Sequence, residues 1–163
     1  MLKRTILIPL LLSLLFHANA QEFSALNVNN GLSNNQVNCI FKDSRGFMWF
    51  GTMSGLNRYD GFTCRIFRHN AADPASIADD YVSGIAAAPG NKLYISTRNG
   101  DVLYDPVTEQ FSDATTWLKS KGLPLTGINC TRQADSSFWV GYKDGNIYRI
   151  NEKKNGAVTR ILH

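Results

Sequence analysis

Residues 47–61 read FMWFGTMSGLNRYDG, residues 92–106 read KLYISTRNGDVLYDP, and residues 138–151 read FWVGYKDGNIYRIN. Trp49, Tyr94 and Trp139 recur every 45 residues. Gly55, Gly100 and Gly145 keep the same spacing, as do Phe50, Ile95 and Val140. Upstream, Val37, Val82 and Ile128 hold one equivalent position, with a single-residue deletion before Trp139. They follow GLSNNQV (31–37), SIADDYV (76–82) and GLPLTGI (122–128). A self-similar period near 45 is the length of a four-stranded propeller blade.

Each unit reads as four short strands separated by turn residues. In the first, Val37, Cys39 and Phe41 alternate with Asn38, Ile40 and Lys42, and Asp43-Ser44-Arg45-Gly46 forms a turn. Strands follow at 47–52, 56–59 and 62–67, with turns at Ser54-Gly55 and Asp60-Gly61. The second unit repeats this at 81–88, 92–98, 101–105 and 109–112, and the third at 127–133, 138–143, 146–151 and 157–162. Asn99-Gly100, Asp144-Gly145 and Asn155-Gly156 are hairpin signals, because both central residues of a type I′ turn need positive φ. Past the leader no run of helical period appears, beyond one turn at Thr116 to Lys121. The expected fold is all-β, with about three blades of four antiparallel strands making an incomplete β-propeller. A blade has two apolar faces that it cannot bury alone, so the recurring aromatic is expected to pack as a wedge between blades.

Residues 1–20, MLKRTILIPLLLSLLFHANA, read as a secretory signal peptide. Lys3 and Arg4 precede a twelve-residue apolar stretch from Thr5 to Phe16, and Ala18-Asn19-Ala20 is a small-x-small site, so cleavage is expected after Ala20. Gln21, not Cys, follows the site, which argues against lipoprotein processing. The expected location is periplasmic or secreted, without membrane contact after cleavage. Residues 21–30 are expected to form a leading strand through Phe23, Ala25, Leu26 and Val28 that would close the last blade. Blades one, two and three are assigned to 31–70, 71–115 and 116–163. Because propellers close with four to eight blades, the remaining blades are expected from a longer parent chain, of which this is the first part.

The 163 residues are 44% hydrophobic and 18% charged, with 13 Gly and 5 Pro, which excludes a disordered tail, a collagen-like fibre and a coiled coil. Of 17 basic residues, removal of Lys3 and Arg4 leaves 15 against 13 acidic, about +2, so nucleic acid is not an expected partner. Cys39, Cys64 and Cys130 show no metal spacing and read as small apolar side chains. No metal or cofactor is expected.

Residues 31–61 resemble the two-component regulator propeller repeat. The resemblance rests on Gly31-Leu32-Ser33, Val37 and Ile40, Asp43 and Gly46, Met48-Trp49-Phe50-Gly51-Thr52, and Gly55-Leu56-Asn57-Arg58-Tyr59-Asp60. The second unit departs with Tyr94 for Trp and Ser96 for Gly. The third has Tyr142 for Thr, and Arg149-Ile150 in place of Tyr-Asp. The resemblance implies the extracytoplasmic sensor of a hybrid two-component histidine kinase, with an oligosaccharide from a complex glycan as ligand. The catalytic domains of such a kinase are absent from this sequence. His17, His69 and His163 lie in the leader, in a loop and at the terminus, so the chain itself is expected to be no enzyme.

Two other functions compete. A secreted propeller enzyme acting on glycans, sialidase-like or a lyase, is one. Asp43 to Trp49 resembles an Asp-box turn weakly, and Asp79 and Asp80 are candidate carboxylates. A protein-binding scaffold is the other. For a ligand, the loops leading into the first strands are favoured: Asn34, Asn35 and Gln36, then Asp79, Asp80 and Tyr81, then Thr126. Their amides, carboxylates and phenol suit sugar hydroxyls and should converge on one mouth beside the propeller axis.

Overall fold

The computed structural model describes residues 25–124, 128–132, 137–142, 144–151 and 156–162. These form twelve strands in three antiparallel four-stranded sheets. The first sheet holds β1 (Val37–Lys42), β2 (Met48–Thr52), β3 (Gly55–Tyr59) and β4 (Cys64–Phe67) in that order. The second holds β5 (Val82–Ala87), β6 (Leu93–Thr97), β7 (Gly100–Asp105) and β8 (Gln110–Asp113). The third holds β9 (Ile128–Arg132), β10 (Ser137–Tyr142), β11 (Ile147–Asn151) and β12 (Ala157–Leu162). Strand β1 lies beside β5, and β5 beside β9, so the first strand of each sheet is the inner one. The fold is therefore all-β, with propeller-type blades of the expected order.

Strand alternation explains the packing. In the second blade, Leu93, Ile95, Val102 and Tyr104 face the first blade, meeting Trp49, Leu56 and Phe67. Tyr94 and Leu103, one residue out of phase, face the third blade and meet Phe138, Val140 and Ile150. The core thus consists of two layers between blades. Trp49 and Tyr94 are almost wholly buried in successive layers, as a recurring wedge requires. Trp49 stacks on Phe67 at 5.8 Å and meets Tyr104 edge-on at 5.1 Å. Trp139 alternates with Phe138 and Val140, so it lies on the face turned away from the second blade and is half-buried.

The departures of the second unit from the first are complementary. Cys39 pairs across the strands with Gly51, and the equivalent pair in blade two is Gly84 with Ser96. The larger side chain has changed strands. A Cβ on Gly51 would collide with Cys39 Sγ and lie 2.6 Å from Val82 Cγ1, so blade one has room only for glycine there. Cys39 packs against the interblade core, as expected of a small apolar side chain, and burial raises its thiol pKa.

Two local expectations need correction. The leading segment is not a strand where it is described: Val28–Asn30 is a 3-10 turn. Asn27 caps it by accepting from Asn29 N at 2.8 Å, and Gly31 ends it at φ 101. Phe23 lies outside the described residues. The single helical turn expected at Thr116 to Lys121 is a seven-residue helix, α1 (Ala114–Ser120), starting two residues earlier. Asp113 caps it through Thr115 N at 2.8 Å, and Ala114 and Leu118 bury one face. Its short length and adjacent threonines conceal the period.

Candidate functional site

The loops before β1 and β5 repeat one another bond for bond. Asn34 Oδ1 accepts from Gln36 N at 2.7 Å, and Asp79 Oδ1 accepts from Tyr81 N at 2.7 Å. These are Asx turns, which Asn and Asp favour because their side chains mimic a backbone acceptor. One residue on, Asn35 Oδ1 accepts from Val28 N at 2.9 Å and Asp80 Oδ1 accepts from His69 N at 2.7 Å. Each thereby ties the preceding segment to its blade. Next, Gln36 O accepts from Met53 N at 3.4 Å and Tyr81 O from Arg98 N at 3.3 Å. Each loop is thus joined to the β2–β3 or β6–β7 turn of its own blade.

All six predicted residues therefore serve their loops. They lead into the neighbouring inner strands β1 and β5, which Asn38 Nδ2 also links through Val82 O at 2.9 Å. Asn34 Nδ2 reaches Ser54 Oγ at 3.1 Å. The Arg98 guanidinium lies 4.6 Å from the Tyr81 ring centroid. Asn35 and Gln36 are exposed, whereas Asn34, Asp79, Asp80 and Tyr81 are half-buried. Thr126 lies outside the described residues.

Behind the first loop is a buried polar lock. Ser33 N donates to Asn57 Oδ1 at 2.8 Å, Asn57 Nδ2 donates to Ser33 Oγ at 2.8 Å, and Ser33 Oγ lies 2.8 Å from Thr52 Oγ1. Asn57 and Thr52 are fully buried. Leu32, Ile77 and Leu123, at equivalent positions, are buried too, so each loop plugs its blade with one aliphatic side chain.

Asp43, the residue of the Asp-box likeness, has a structural duty. Its Oδ1 accepts from Arg45 N at 2.9 Å and Phe47 N at 3.0 Å, and its Oδ2 accepts from Trp49 Nε1 at 3.0 Å. The side chain is 6% exposed. This carboxylate closes the β1–β2 turn.

Comparison with known proteins matches residues 31–54 to the family described as two component regulator propeller. A curated relative, histidine kinase P4 of Formosa agariphila, is 41% identical over 56 residues, which span 34% of this chain and 4% of that protein. Among solved structures, the extracellular domain of the hybrid two component system BT3049 from B. thetaiotaomicron is 20% identical with a TM-score of 0.43, covering 86% of this chain and 26% of that one. That of BT4673 is 15% identical with a TM-score of 0.45, covering 90% and 27%. The chain therefore spans only a small part of the histidine kinase and about a quarter of each extracellular domain. No helix among the described residues is long and apolar enough to cross a membrane.

Sequence reasoning missed two features. One is an ionic clasp between blades: Arg58 and Arg65 of the first hold Glu109 of the second at 2.9 and 2.5 Å. Arg58 stands in the repeat motif, but its partner is 51 residues away and no spacing rule finds it. The other is the position of the hollows. One of about 480 Å³ lies between the β1–β2 and β5–β6 turns, and one of about 460 Å³ lies beside α1. Both are at the far end of the inner strands from the loops described above.

Proposed function

We propose that this chain supplies extracytoplasmic sensing blades of a hybrid two-component signal transduction protein, and that its ligand is an oligosaccharide released from a complex glycan. The match of residues 31–54 to the two component regulator propeller family carries the reading, with the relationship to a histidine kinase in support. The chain is exported through residues 1–20, and the remaining blades, the membrane helix and the kinase belong to the parent. Ligand contacts at the mouth use the polar capacity that loop folding leaves over. This comprises the exposed amides of Gln36 and Asn35, the second oxygens of Asp79 and Asp80, and the half-buried Tyr81 phenol. Asx turns hold these groups in place before ligand arrives, which lowers the ordering cost of binding.

Titration of the purified chain against a panel of neutral and acidic plant, algal and host oligosaccharides tests the reading. Saturable binding of at least one, weakened about tenfold by Gln36→Ala with Tyr81→Ala, is expected. A folded chain that binds none of them would contradict it.

A further inference from the structure

Two Asn-Gly pairs lie in described turns, Asn30-Gly31 and Asn99-Gly100, while Asn155 of a third lies outside the described residues. Glycine has no Cβ, so its amide nitrogen can approach the carboxamide carbon of a preceding asparagine unhindered. Reaction then depends on how freely the two residues reach the near-attack geometry, with the reacting atoms about 3–3.5 Å apart.

The two pairs differ in that freedom. Asn30 ends the 3-10 turn Val28–Asn30, with its N–H bonded to Asn27 O at 2.9 Å and the Gly31 N–H to Val28 O at 3.3 Å. Leu32 N bonds to Asn27 O at 3.1 Å, and the Leu32 side chain is buried, which anchors the turn on its far side. A Cβ on Gly31 would lie 3.3 Å from Cys64 Cβ, so this glycine is packed against β4. Asn99-Gly100 instead forms the tip of the β6–β7 hairpin. Arg98, Asn99 and Gly100 are all exposed, and nothing lies within 4 Å of the Cβ position on Gly100. Gly100 pairs with Thr97 on the last rung of the hairpin, where local opening costs least.

Blade one shows which restraints are missing. Ser54, the equivalent of Asn99, is held twice: its N–H donates to Thr52 Oγ1 at 3.0 Å, and its hydroxyl accepts from Asn34 Nδ2 at 3.1 Å. In blade two the counterpart of Asn34 is Asp79, which has no amide to donate. Among the described residues the Asn99 side chain makes no hydrogen bond.

We propose that Asn99 is a site of spontaneous deamidation through a succinimide, reacting faster than Asn30 in the folded chain. The Gly100 amide nitrogen gives its proton to hydroxide and forms a bond to Asn99 Cγ. The Cγ–Nδ2 bond breaks, and Nδ2 leaves as ammonia with a proton taken from water. Water then opens the ring. Attack at Cγ yields aspartate, and attack at the main-chain carbonyl yields isoaspartate, which adds a methylene to the backbone. Either product places a new negative charge beside Arg98, in the turn whose Arg98 N–H donates to Tyr81 O at 3.3 Å. The site rests on this turn alone and not on any ligand.

Incubation of the full chain at mildly alkaline pH tests it, sampled by peptide mapping with mass spectrometry and by isoaspartate methyltransferase labelling. In the folded chain Asn99 should convert about tenfold faster than Asn30, with isoaspartate as the main product. In concentrated urea the two rates should converge, because the turns that separate them are gone. Asn99→Ser, which installs the residue of blade one, should abolish labelling at this position and leave Asn30 unchanged. Equal rates in the folded chain, or Asn30 ahead, would overturn the proposal. So would a difference that persists in urea, since it would then come from sequence neighbours, or an Asn99 that reacts only when the chain is unfolded.

Discussion

The indole N–H of Trp49 donates to the carboxylate of Asp43 at 3.0 Å, joining the wedge of the first interblade layer to the turn that closes β1 on β2. Trp49 is fully buried, so its N–H depends on this acceptor. In blade two the wedge is Tyr94, whose hydroxyl turns to Asp101 at 2.5 Å, and the turn position is Ala88. Wedge and acceptor have changed together.

Asp43→Asn keeps an oxygen for the Arg45 and Phe47 amides but can set its amide nitrogen against the indole N–H, donor facing donor. Loss of a charge-assisted bond to a buried donor should cost about 1–3 kcal/mol of stability, read as a lower urea midpoint with unchanged slope. An unchanged midpoint would show that the indole finds another partner.

Ser33 and Asn57 form a pair that blade two replaces with Ala78 and Val102, in equivalent positions. Asn57→Val should destabilise by about 1–3 kcal/mol, because it leaves the Ser33 N–H and the Ser33 hydroxyl without their amide partner, and Ser33→Ala should cost less, because Asn57 Nδ2 keeps Phe50 O at 3.1 Å and Thr52 Oγ1 keeps Gly55 O. The double variant should cost clearly less than the sum, since it removes both side-chain groups at once. Urea denaturation of the four proteins measures this coupling, and strict additivity would contradict the lock.

Glu109 has its carboxyl pKa lowered, first by the hydrogen bond from Arg58 and then by that from Arg65. A depressed carboxylate stabilises the fold fully above its unfolded-state pKa, near 4.5. That contribution disappears as pH falls through the lower folded-state value. The clasp is partly exposed and salt-screened, so Glu109→Gln should cost no more than about 1 kcal/mol near neutral pH. The difference from wild type should vanish in the acid limb and shrink in high salt. Thermal melts from pH 7 down to pH 3 check the sign.

Most strands were legible because two signals agree in them. Alternation marks the faces, and Gly or Asp marks the turns, so β1 to β12 fall within a residue or two of their expected positions. The repeat also identified the wedge residues, since Trp49 and Tyr94 recur at one position and are buried. The 3-10 turn at Val28–Asn30 was hidden because Leu26 and Val28 read as strand, while the Asn27 cap acts within three residues. In the loops before β1 and β5 the residues were read as polar loop residues, and they lie in such loops. Sequence alone could not tell that the same oxygens close the loops, because an Asx turn and a ligand contact call for the same side chains.

The most direct test of an extracytoplasmic sensor is a fusion of the full chain to alkaline phosphatase lacking its own leader, expressed in a Gram-negative host. The account predicts phosphatase activity in the periplasm, and none when residues 1–20 are deleted. A stable fusion that accumulates without activity would contradict export, and with it the sensing of any ligand outside the cytoplasm.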